Sequence, residues 1–274
     1  MTMNSVGFAM SGSARLYFET AGNGAPLVFI HAGVSDCRMW DPQFERFAPG
    51  CKVVRYDHRG FGKSTFPEEP FTLREDLAGV LFPLGLEKAV LVGCSMGGAT
   101  ALDFALEHPE MVSGMVLVGS GVSGLNDPRH LSEDTKKYWT ELIGLVQKGE
   151  VERALEMDAK YWIDGPSRAA NEVEPGYRER ARQLHRENFS LERFKRQENT
   201  LTPPAIERLG EVSVPTLIVI GDHDSEDLKK LAGRFAQEIP RARLVRMNAA
   251  HLPSLERPVE FNRLLEEFLG SVGP

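Results

Sequence analysis

The sequence is short of cysteine, of positive charge and of long apolar runs, and each shortage removes a class of protein. Three cysteines, Cys37, Cys51 and Cys94, stand at irregular spacing. That excludes a disulfide framework and a zinc site, and it points to a reduced, cytoplasmic setting. Acidic residues outnumber Lys and Arg by 39 to 32, for a net charge of −7. Neither nucleic acid nor an anionic membrane is therefore an expected partner. No uninterrupted apolar stretch is long enough to span a bilayer, and the opening MTMNSVGFAMSGSARLYFE lacks the basic and apolar regions of a signal peptide. There is no Gly-x-Gly-x-x-Gly or Walker-type loop for a nucleotide, and there are no repeats or low-complexity tracts. With 274 residues and 42% hydrophobic content, the chain can bury a large core unaided.

Short runs rich in Val, Ile and Leu recur between turn residues: PLVFIH (26–31), KVVRYD (52–57), KAVLVG (88–93), GMVLVGS (114–120), PTLIVIG (215–221) and ARLVRMN (242–248). Near-continuous apolar character suits strands covered on both faces, as in a parallel sheet. Helix-length segments lie between them: Met96 to Glu107 before Pro109, Ser225 to Ile239 before Pro240, and a stripe of Phe261, Leu264, Leu265 and Phe268 after Pro258. The alternation predicts a doubly wound, mostly parallel α/β sheet, with SARLYFETAG an antiparallel strand at its start. Between Val122 and Pro204 the strands stop. Tyr138, Trp139, Leu142, Ile143 and Val146 form one apolar stripe, and Val151, Leu155 and Trp162 a weaker one. Residues 1–121 and 206–274 thus read as the core, and 122–205 as a helical lid inserted between two strands. The Arg-rich stretch from Tyr177 to Arg196 reads as a solvated helix face, with a substrate-carboxylate site as the alternative.

The chemistry centres on Gly93-Cys94-Ser95-Met96-Gly97-Gly98, set between a buried strand and a helix. A sharp strand-to-helix turn exposes a serine hydroxyl but leaves no room for side chains two residues before or after it. The following helix directs its free N–H groups and positive end at the same point. The bare pattern arises by chance in about one chain in ten of this length, so the strand before it and the helix after it carry the reading.

A serine hydroxyl needs a base, and the base needs an acid to fix its tautomer. His251, in the short loop after ARLVRMN, is the candidate base. His130 and His185 fall inside the lid, and His223 reads as a turn residue. For the acid, the strand end at 221–224 offers both Asp222 and Asp224. Two backbone donors are expected to hold a developing oxyanion: the N–H of Met96 and that of Gly33 or Val34 in the loop after PLVFI. Cys94 reads as a small buried hydrophobe rather than a nucleophile. No metal is required, because His31, His58 and His223 show no ligand spacing.

These residues together resemble the α/β-hydrolase superfamily over nearly the whole chain. The likeness is greatest to lidded bacterial hydrolases such as 3-oxoadipate enol-lactonases, carboxylesterases and carbon–carbon bond hydrolases. The matching segments are His31-Ala32-Gly33, Tyr56 to Ser64, GCSMGG, GDHD at 221–224, and Ala250-His251-Leu252-Pro253 with Glu256-Arg257-Pro258. The resemblance places the acid on Asp224 and gives the Tyr56 to Ser64 segment a structural role. It departs at Ala32, where the family usually has glycine. It implies cleavage of a small ester or lactone by Ser95, Asp224 and His251, with water as second substrate and no cofactor. C–C, thioester and amide hydrolysis, acyl transfer and a ligand receptor are the competing outcomes. Trp139, Tyr161 and Trp162 are expected either to line an apolar substrate pocket or to pack within the lid. Oligomeric state is left open, a homo-oligomer included.

Overall fold

A computed structural model of the chain describes residues 5–125, 131–190 and 198–272. His130 and the last residues of the Arg-rich stretch (191–196) lie outside the described residues.

Eight strands form one sheet: β1 (Ser5–Ser11), β2 (Ala14–Ala21), β3 (Ala25–Ile30), β4 (Cys51–Tyr56), β5 (Ala89–Cys94), β6 (Val112–Val118), β7 (Thr216–Gly221) and β8 (Ala242–Met247). Their spatial order is β1-β2-β4-β3-β5-β6-β7-β8. The β1–β2 and β2–β4 pairs are antiparallel and the rest parallel. Successive side chains of a strand face opposite ways, and both faces are apolar. Val28 and Ile30 of β3 join a cluster on one side with Ala101, Phe104, Leu231 and Phe235, while Leu27 and Phe29 join another with Phe44, Phe261, Leu265 and Phe268. Burying each such Leu or Phe stabilises the fold by roughly 1.5–3 kcal/mol. The first face is covered by α2 (Leu73–Leu81), α3 (Met96–Glu107) and α7 (Glu226–Glu238). The second is covered by α1 (Asp41–Phe47) and α9 (Pro258–Val272), the latter preceded by the one-turn α8 (Pro253–Glu256).

Helix α3 begins and ends where the pattern predicts, and α7 is the predicted segment with Ser225 as its cap: the Ser225 side chain accepts from Leu228 N. Strand β1 escaped the pattern. Its apolar Val6, Phe8 and Met10 are exposed, so the edge strand offers no buried run to read.

Between β6 and β7 the chain forms α4 (Glu133–Gln147), α5 (Val151–Ala159), one π turn (Lys160–Asp164) and α6 (Pro175–Asn188). Tyr138 and Leu142 of the predicted stripe are buried, but Ile143 is exposed. The arginines of α6 pair with carboxylates, and Arg186 stays exposed as a solvated face predicts. Arg178 pairs with Asp164, Arg180 with Asp41, Arg182 with Glu156 and Arg186 with Glu152. They tie the helix to its neighbours. No described helix is long and apolar enough to cross a membrane.

Candidate active site

The strand order reverses at β3: β4 lies on one side of it and β5 on the other. A crevice opens beyond the strand ends at such a point. Gly33 follows β3 and Ser95 follows β5, so both flank it.

Ser95 has φ 54° and ψ −113°, and no other described non-glycine residue has positive φ. A backbone held there costs about 1–3 kcal/mol. Its neighbours impose it: Ser95 N donates to Val118 O at 2.9 Å, and Ser95 O accepts from Gly98, Ala99 and Gly121 N–H groups at 3.0–3.1 Å. The expected glycines are sterically required. A Cβ on Gly93 would lie 2.2 Å from Gly97 O, and one on Gly97 would lie 2.3 Å from Ile30 O. All of these obstacles are backbone, which cannot swing aside.

His251 is 2% exposed and leaves the sheet in the loop after β8. Its Nδ1 lies 2.9 Å from Asp224 Oδ2, and the other carboxylate oxygen accepts from Ser225 N at 2.7 Å. A ring nitrogen facing a carboxylate carries the proton, which leaves Nε2 as the basic atom. Asp222 turns outward and pairs with Arg246 at 2.7 Å on the surface. Of the two acids that the strand end offers, Asp224 is the one against the imidazole.

Gly33, Val34, Ser95, Met96 and His251 line one cavity of about 430 Å³. Asp224 stands behind His251. Gly33 is less constrained than the elbow glycines, because a Cβ there would meet only the Met96 side chain, at 3.7 Å or more. Ala32, where a glycine was expected, is fully buried, and its N–H points at Met39 Sδ, 3.3 Å away. Trp139, Tyr161 and Trp162 do both things expected of them. They line the cavity and pack on one another, with Tyr161 and Trp162 ring centroids 4.7 Å apart.

The other motif residues are structural. His31 Nε2 accepts from His58 N at 2.8 Å and its Nδ1 faces Ala32 O, so both ring nitrogens are occupied. Asp57 accepts from the Cys37 and Lys63 N–H groups, and Arg59 pairs with buried Asp76. Asp36, Cys37 and Asp57 are the one described group close enough to share a metal ion. Both carboxylates already accept hydrogen bonds, and burial pushes the Cys37 thiol far up. Cys94 is fully buried, and burial followed by the charge of Asp224 pushes its thiol well above the ordinary range. His223 bonds Asn248 at the surface.

Two supporting interactions involve residues that the sequence singles out, Glu256 and Trp162, without giving their partners. Glu256 accepts from Ala250 N at 2.8 Å, bracing the residue before His251, and it forms a buried two-pronged pair with Arg168. The Trp162 ring lies 4.5 Å from that of His251. It is held by a hydrogen bond from its indole N–H to Tyr138, whose hydroxyl in turn donates to Asp158, and Asp158 also pairs with His185. Spacing along the chain could not pair residues 168 and 256.

A strained serine, a buried imidazole–carboxylate pair and a cavity thus meet beside the strand reversal, and comparison with known proteins gives the chain's family. The chain belongs to the α/β hydrolase fold family, whose model matches residues 25–258. It is 28% identical to the "Putative carbamate hydrolase RutD" of Azorhizobium caulinodans, covering 97% of this chain and 98% of that protein. It is 30% identical to the 2-hydroxy-6-oxononadienedioate/2-hydroxy-6-oxononatrienedioate hydrolase of Paraburkholderia phymatum, covering 93% and 90%. Among solved structures it resembles Est816, described as an N-acyl homoserine lactone degrading enzyme, with TM-score 0.79, 26% identity and coverage of 96% and 100%. The chain is a hydrolase by family. These relatives cleave chemically different bonds.

Proposed function

We propose that this hydrolase cleaves a small carboxylic ester or lactone by two-step acyl transfer through Ser95. The observation that carries the reading is that strained Ser95 and buried His251 line the same cavity, with Asp224 bonded to the far side of the imidazole. In the first step His251 Nε2 takes the Ser95 hydroxyl proton as the oxygen attacks the carbonyl carbon. Asp224 stabilises the imidazolium that forms. The backbone N–H groups of Met96 and Gly33 receive the oxyanion, aided by the N-terminal end of α3. The imidazolium then protonates the leaving alkoxide, and an acyl-serine remains. Water, deprotonated by the same nitrogen, attacks that ester and releases the acid. No cofactor enters either step.

Residues 122–205 are read as a cap over the strand ends, and 1–121 with 206–274 as the catalytic core. The aromatic side chains of the cap would shape the acyl pocket and exclude water from the oxyanion. Ester or lactone cleavage is preferred here because a lactone-degrading enzyme is among the structural relatives. The test is rapid-mixing hydrolysis of p-nitrophenyl acetate. The expected result is a burst of p-nitrophenol matching the enzyme concentration, absent in Ser95→Ala. Steady turnover by Ser95→Ala at the wild-type rate would refute the assignment.

A further inference from the structure

One carboxylate in the cavity is not used by the chemistry above. Met96, Ala99, Thr100 and Asp103 of α3 all line the cavity. Their spacing puts them on one face of the helix. At 1.5 Å rise per residue, Asp103 lies about 12 Å along that helix from Ser95. The cavity therefore runs along α3, with the nucleophile at one end and a carboxyl group at the other.

Asp103 is fixed in place. One of its oxygens accepts from Ser123 Oγ at 2.8 Å, and Ser123 Oγ itself accepts from Ala205 N at 2.8 Å. Burial raises its pKa to about 6, outweighing the Ser123 hydrogen bond and the charges of Arg74 and Arg208, while Glu107 pushes in the same direction as burial. A carboxyl group held at a disadvantage in a cleft marks a place where a partner restores the balance.

The described wall offers no spare cation to supply it. Arg74 is the one Lys or Arg among the described lining residues, against Asp103 and Asp227. Its Nε is bound to Glu107 at 2.9 Å and its NH1 reaches Asn199 O at 3.5 Å. Asp227 spends an oxygen on the Ser132 N–H and hydroxyl, both at 2.9 Å. The described wall is thus net acidic, which opposes an anionic substrate and favours a cationic one.

We propose that Asp103 is a substrate-recognition residue that takes a protonated amine carried at the far end of the acyl chain, so that the substrate is an amino-acyl ester or lactone rather than a carboxylated one. This deepens the ester-hydrolase reading and rests on it. An extended acyl chain of roughly eight or nine atoms reaches from the scissile carbonyl to Asp103.

The test uses three p-nitrophenyl esters of matched length: 8-aminooctanoate, nonanoate and the half ester of azelaic acid. Wild-type kcat/KM should be at least about tenfold higher for the amino ester than for nonanoate, and lowest for the carboxylate ester. In Asp103→Asn the amino-to-nonanoate ratio should fall to about one. The ratio cancels any general loss of folding or turnover. A wild-type ratio near one, or a preference that survives Asp103→Asn, overturns the proposal. Binding is read separately on Ser95→Ala, where methyl 8-aminooctanoate should raise Tm more than methyl nonanoate, and adding Asp103→Asn should erase the difference. If no ester is turned over while that difference holds, the ester-hydrolase reading fails and the recognition role stands. If all three esters are cleaved without preference and the difference is absent, the recognition role fails alone.

Discussion

Replacing Asp224 by Asn should disable the site by inverting one tautomer. In the native arrangement Asp224 Oδ1 accepts from Ser225 N at 2.7 Å while Oδ2 faces His251 Nδ1 at 2.9 Å. An asparagine there has one oxygen and one NH₂. The Ser225 N–H, buried at the start of α7, demands the oxygen, so the NH₂ turns toward the imidazole. His251 must then offer its Nδ1 lone pair and carry its proton on Nε2. A protonated Nε2 cannot accept the Ser95 proton. The steric change is almost nil, yet the base is lost. Inversion of this kind costs about four orders of magnitude in kcat where an equivalent triad has been altered in the same way. Asp222→Asn is the matched control. It breaks an exposed pair with Arg246 worth under about 1 kcal/mol and should leave turnover within about twofold. The assay is p-nitrophenyl acetate hydrolysis at pH 7–8, with Tm measured to show that both variants fold. Asp224→Asn retaining more than a tenth of wild-type kcat, or Asp222→Asn losing more than Asp224→Asn, would refute the reasoning.

Further outcomes follow from neighbouring residues. Gly97→Ala pushes a methyl group to within 2.3 Å of a backbone oxygen, so calorimetry should show a loss of about 3 kcal/mol or more, or the variant should fail to fold; a native Tm would contradict the packing argument. Arg168→Met leaves Glu256 buried without its partner, and a loss of about 3–5 kcal/mol is expected together with reduced kcat, since Glu256 braces the His251 loop. Unchanged denaturant stability would show that the pair is not coupled to the fold. Asp103 has a raised carboxyl pKa, so the folded state holds its proton more tightly than the unfolded chain, and stability falls as pH rises from about 4 to about 6. Asp103→Asn should therefore stabilise the protein by about 1–3 kcal/mol above pH 6 and by nothing below pH 4; urea melts at both pH values check this, and a pH-independent difference would contradict it. Iodoacetamide should leave activity intact and modify half-buried Cys51 before Cys94; rapid inactivation traced to Cys94 would overturn its buried role.

Much of this architecture could be read from the chain because the inner parallel strands β3, β5, β6 and β7 are buried on both sides. Residues such as Val90 to Gly93 or Leu217 to Gly221 have no other stable use. The elbow was legible for a related reason: Gly93 and Gly97 are fixed by backbone oxygens a short distance away along the fold. Reading failed where apolar residues face water, as at Val6, Phe8 and Met10 of β1. The Arg-rich α6 does present a solvated face, and its arginines pair there with carboxylates of neighbouring segments that spacing could not name. The two acids at the strand end could not be separated by spacing alone. Only the direction in which the loop turns sends Asp224 inward and Asp222 out. Contacts such as Arg168 with Glu256, or Trp162 over His251, join segments far apart in the chain and exist only in the folded molecule.

The central claim is that Ser95 is chemically singled out among the serines of this chain, and covalent trapping measures that directly. The intact protein, treated with a fluorophosphonate probe and digested, should carry one adduct, on the peptide containing Ser95, and Ser95→Ala should carry none. An adduct on any other residue, or no reaction in protein shown to be folded, would contradict the account.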